Sequence, residues 1–165
     1  MTLTTHAIVG AAAASLVPNH PVIGFIGGLA SHFAIDSIPH WNEGRFIRSV
    51  KKVDNNPLTR RINRSWDLLH DFALVGFDSL LGFAGSVAIL FYLFHAPLYI
   101  VLLGAFAGQM PDGLQFVYFV FHPKFMDALQ RFHGRIQTES TEIAYLGIEA
   151  GLILAVIALG ILGAF

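Results

Sequence analysis

The sequence predicts an all-α membrane protein: one polytopic bundle of about five spans, with short or broken helices and two polar cytoplasmic loops. Three observations point there. Hydrophobic residues make up 55% of the chain and charged residues 13%, with a mean hydropathy of +0.61, whereas soluble domains carry about 25% charged residues. Several apolar runs approach or exceed the about 20 residues that a helix needs to cross a bilayer. All ten Lys and Arg residues fall within two stretches, 38–66 and 122–140.

The elements follow in order. Two short apolar runs, 4–17 and 21–37, are separated by "PNH" and read as a tight hairpin of short helices. The polar stretch 38–66 comes next, flanked by Trp41 and Trp66 as interfacial anchors. Residues 72–94 and 141–165 are long enough to span. Residues 97–121 are also long enough, but contain Met110-Pro111-Asp112-Gly113. Proline lacks the backbone donor and glycine is permissive, so this helix is expected to break near Pro111. Up-down threading puts both basic stretches on one side, which the positive-inside rule makes cytoplasmic, with the N-terminus inside. Residues 1–165 then form a single integral domain, expected in a bacterial or archaeal cytoplasmic membrane.

Composition excludes several functions. The chain has no cysteine and a net charge of −1, so thiolate metal sites and iron–sulfur clusters are out and no nucleic-acid partner is expected. The first fifteen residues carry no Lys or Arg, so no basic secretory signal is expected. No phosphate loop, HExxH or GxSxG occurs.

The chemistry is concentrated in ionisable residues within apolar runs: His6, His32, Asp36, His70, Asp71, Asp78, Asp112, Glu142 and Glu149. Each costs about 2.5–3.5 kcal/mol to insert when charged, so such residues face the interior and mark function. The threading places most of them near the cytoplasmic boundary, in one layer. His32, Asp36 and His40 recur every four residues and share a helical face. A faint repeat, hairpin 4–37 against 68–113, aligns Pro21 with Pro97, Gly28 with Gly104 and Asp36 with Asp112; with a gap, His6 pairs with His70. These alignments predict that His6, His32, Asp36, His70 and Asp112 converge as metal ligands. Imidazole and carboxylate donors suit zinc, manganese or iron, with zinc or manganese the expected cofactor. Asp71 or Glu149 would serve as general base. His133 ranks lower: its segment "ALQRFHGRIQ" reads as an amphipathic helix lying on lipid, able at most to cover the site.

The opening "TTHAIVGA" followed by "GGLASHFAIDSIPHW" resembles the YdjM-like family of inner-membrane metal-dependent hydrolases. Thr5, His6 and Gly10 match its N-terminal Thr-His-x3-Gly, and Pro111-Asp112 resembles the core of its Pro-Asp motif. The family's Asp-x-Asp pair is absent, since Ala34 and Ile35 precede Asp36, and a later His-Arg-Gly-x-Thr-His is missing. The resemblance implies metal-dependent hydrolysis. The depth of the layer adds a substrate expectation, an ester or phosphoester of a lipid or lipid-linked molecule. Two other classes fit the same residues: a scaffold or transporter-like module, and a haem protein with His6, His32 or His70 as axial ligands.

Overall fold

A computed structural model describes residues 1–39, 49–51, 61–62, 66–136 and 142–165. The expectations for His40, Trp41, most of the basic loop and the side chain of Glu142 lie outside the described residues. Six α-helices account for nearly all described structure: α1 (Leu3–Ser15), α2 (Pro21–Asp36), α3 (Trp66–Ser86), α4 (Leu98–Phe121), α5 (Asp127–Ile136) and α6 (Glu142–Ile161). A two-residue antiparallel pair, Val50–Lys51 with Arg61–Ile62, interrupts the long polar stretch.

Helix α1 is the hub, packing against α2, α3, α4 and α6. It is apolar all round, and such a helix belongs inside a bundle. At 13 residues it extends about 20 Å, well short of a bilayer core. Small residues let its neighbours close on it. A Cβ added at Gly104 of α4 would lie 2.5 Å from the Gly10 carbonyl oxygen and 2.8 Å from Ala11 Cα. One added at Gly28 of α2 would lie 3.0 Å from the Gly104 oxygen. Backbone-to-backbone approach of this kind gains dispersion contacts without needing an apolar side-chain layer.

Polar side chains secure the start of α1. Thr2 caps it by accepting from Thr5 N at 3.1 Å. Asp78 of α3 accepts from Leu3 N at 2.6 Å, Thr4 N at 3.3 Å and Thr4 Oγ1 at 2.6 Å. Glu149 of α6 accepts from Thr2 N at 2.6 Å. Three otherwise unpartnered amides and the positive end of the helix dipole are thereby met by two carboxylates. Gln109 of α4 adds a cross-link, donating to Leu3 O and Ser79 O and accepting from Ser79 Oγ.

Two helices, Trp66–Leu93 and Leu98–Phe121, are long and apolar enough to cross a membrane. The first comprises α3 and a wider π turn, Val87–Leu93, that the sequence did not announce. The expected break at Pro111 does not occur: α4 runs on to Phe121, where His122 ends it in the left-handed region at φ 49°. Proline removes one donor from the ladder, and one missing bond is tolerable where α1 and α2 hold the same stretch in place. The exterior is strongly apolar, with Phe77, Leu80, Tyr92, Ile161 and Leu162 exposed.

Candidate metal centre

Four helices meet beside the start of α1. Its first turns carry His6, the last two turns of α2 carry His32 and Asp36, the second half of α4 carries Asp112, and α5 carries His133. His6, His32, Asp36 and His133 are all at most 1% exposed. The Asp112 side chain, at 24%, is the one open to the outside.

One donor atom from each of His32, Asp36, Asp112 and His133 lies within 4.8 Å of all the others. The group could hold a metal ion. His133 Nε2 is 3.0 Å from Asp36 Oδ2 and 3.6 Å from Asp112 Oδ1. His32 Nε2 is 3.2 Å from His133 Nε2, 3.3 Å from Asp36 Oδ2 and 3.8 Å from Asp112 Oδ1. Four ligands about 2.0–2.1 Å from a tetrahedral zinc are about 3.3–3.4 Å from one another. The five separations just given, 3.0–3.8 Å, bracket that edge, as donors grouped to hold a small cation would.

Local contacts orient the donors. His32 Nδ1 lies 2.8 Å from the Gly108 carbonyl oxygen. A carbonyl only accepts, so Nδ1 carries the proton and Nε2 presents its lone pair to the cluster. A buried N–H to a backbone carbonyl is the usual outer support of a metal-binding imidazole. Phe33 packs edge-on against His32 and His133, and Phe132 against Phe33, walling one side with rings. The Met1 amino nitrogen is 3.7 Å from Asp36 Oδ1.

The structure brings His6, His32, Asp36 and Asp112 together; His6 Nε2 is 3.2 Å from Asp36 Oδ1 and 3.8 Å from Asp112 Oδ2. It does not bring His70. That ring sits beside its chain neighbour, with Nδ1 3.2 Å from Asp71 Oδ1, and no described contact joins it to the cluster. The gapped pairing with His6 therefore does not carry over to geometry. Asp71, expected as a general base, accepts from Ser49 N at 2.7 Å and so secures the polar stretch preceding α3. Glu149, the other expected base, caps α1. Both acids accept from backbone amides.

His133 replaces His70. Its inward direction appears only once α5 is docked. Gln130 and His133 are three residues apart and buried, whereas Phe132 between them is half exposed and the nearby Phe125 is 85% exposed. Phe132 faces out together with Arg131 and Arg135, while the two residues α5 buries, Gln130 and His133, are both polar. Among known proteins, no family model, no curated protein and no solved structure matches this chain.

Proposed function

We propose that this protein is a membrane-embedded, metal-dependent hydrolase acting on an ester or phosphoester of a lipid or lipid-linked substrate at the cytoplasmic surface. The convergence of the His32, Asp36, Asp112 and His133 donor atoms within 4.8 Å carries the reading. In the proposed threading, α3 with its π turn, α4 and α6 span the membrane, and the short α1 and α2 form an embedded hairpin that the longer helices shield. The N-terminus and both basic stretches are cytoplasmic, and α5 lies along the interface. The start of α1, the end of α2 and the α5 helix then share one depth. The outer face of α5 supports this placement: Phe132, and Phe125 just before the helix, suit lipid, and Arg131 and Arg135, both exposed, suit anionic headgroups.

A divalent cation, zinc or manganese, bound there supplies Lewis acidity and an activated water. His32, His133 and Asp36 would hold it from the buried side. Asp112 faces the open side, where a headgroup would approach. The resemblance to the YdjM-like family accords with this chemistry. The haem alternative loses support from the histidine geometry. The His6 and His32 rings are stacked, with centroids 4.0 Å apart, whereas axial ligands must face one another across a macrocycle. A transporter-like role loses support because Asp78 and Glu149 are both committed to capping α1.

The test is hydrolysis of fluorogenic phosphodiester and carboxylic ester lipids by purified protein in mixed micelles. Chelation should abolish turnover and zinc or manganese should restore it. Turnover unaffected by chelation, or the absence of turnover on both substrate classes by metal-loaded protein, would overturn the proposal.

A further inference from the structure

The cluster has a second side. Asp36 and Asp112 each present one oxygen to the His32–His133 side: Asp36 Oδ2 and Asp112 Oδ1. Their other oxygens face His6. Its Nε2 is 3.2 Å from Asp36 Oδ1 and 3.8 Å from Asp112 Oδ2. These are the same ligand-edge distances found on the first side.

His6 also carries an unexplained cost. It is 1% exposed, and its Nδ1 makes no hydrogen bond among the described residues, while Nε2 meets the Asp36 and Asp112 carboxylates. A buried polar group without a partner is destabilising and calls for an explanation. His32 stacks on the same ring yet has its Nδ1 anchored to a carbonyl. His6 Nε2, like His32 Nε2, is set among carboxylate oxygens that a cation could share.

From this juxtaposition we infer a second divalent-cation position, held by His6 Nε2, Asp36 Oδ1 and Asp112 Oδ2, with Asp36 and Asp112 bridging it to the first. Carboxylates that give one oxygen to each of two cations hold them at the about 3.5–4 Å spacing of two-metal hydrolytic sites. The stacking of His6 on His32, at 26° between ring planes, suits this arrangement, because the two Nε2 atoms then meet the two different oxygens of Asp36. The Met1 amino nitrogen, 3.7 Å from Asp36 Oδ1, lies on this side too and would give way to the cation or join its shell, while the Asp112 side chain, 24% exposed, opens it to the outside.

The inference rests on the proposed metal centre, and its test separates the two. The full chain in detergent is stripped by chelation and titrated with Mn²⁺, with bound metal counted and the electron paramagnetic resonance spectrum recorded. Wild type should bind two equivalents, and H6A one. At two equivalents the isolated six-line Mn²⁺ signal of wild type should give way to an exchange-coupled spectrum. If wild type binds one equivalent and H6A still binds one, the second position does not exist while the first stands. If wild type binds none, both fall. Should H6A not fold, the wild-type spectrum decides: two equivalents giving only uncoupled six-line signal overturn the bridge.

Discussion

Replacing Asp36 with asparagine removes one negative charge from the centre of the cluster with almost no change of shape. Asp36 lies within 3.0–3.3 Å of three imidazole nitrogens, those of His133, His6 and His32. It is fully buried, so water cannot replace the lost charge. Removing one partner from a buried charged arrangement costs about 3–5 kcal/mol, and here that loss falls on cation affinity. With zinc at 1,000 times the wild-type dissociation constant, binding stabilises the wild type by about 4.1 kcal/mol. For a chain of this size that corresponds to a rise of roughly 8–16 °C in melting temperature. At the same zinc concentration the D36N protein retains about 0.1–1.2 kcal/mol, a rise under about 5 °C. The assay is thermal unfolding of chelator-stripped protein in detergent, with and without zinc. The stripped D36N protein should itself melt lower, since the buried Met1 amino group loses its counter-charge, so the zinc-dependent rise is read within each protein. A zinc-dependent rise in D36N equal to that of wild type would refute the reasoning.

Three further outcomes are expected. H70A should bind as much zinc as wild type, because His70 contacts Asp71 and not the cluster; metal analysis showing a lost equivalent would put it back among the ligands. D78N should lower the stability of stripped protein by about 1–3 kcal/mol through the lost charge and acceptor at the start of α1, which thermal unfolding reads directly; an unchanged melting temperature would show that the α1 cap contributes nothing. G104A should cost about 1–3 kcal/mol because its Cβ would meet the α1 backbone. G76A, with no atom within 4 Å of its added Cβ, should be neutral or stabilised by up to about 1 kcal/mol. Equal melting of the two glycine variants would contradict the close α1–α4 packing.

The helices were legible because apolar runs are interrupted by residues that end helices. The "PNH" turn separates α1 from α2 at the expected place, and the His122-Pro123 pair closes α4. The His32–Asp36 spacing placed both side chains on one face, and that face is buried. Asp112 was suggested by its equivalence to Asp36. His133 was undervalued because only tertiary docking of α5 turns its polar edge toward the cluster. His70 was overvalued because an aligned pair of histidines says nothing about which way either ring points. Pro111 shows the limit of a local rule: its missing donor weakens one rung, while Gly104, Ala107 and Gly108 pack the same stretch against α1 and α2 and hold it helical. The roles of Asp78 and Glu149 could not be read locally either, since each caps a helix far away in sequence.

Zinc-edge X-ray absorption on the purified, zinc-loaded protein tests the central claim most directly. The cluster predicts a nitrogen and oxygen shell at about 2.0–2.1 Å with the outer-shell scattering of imidazole rings. That imidazole scattering should weaken in both H32A and H133A. Zinc that washes away on desalting, or a bound ion with an all-oxygen shell and no imidazole scattering, would contradict the account.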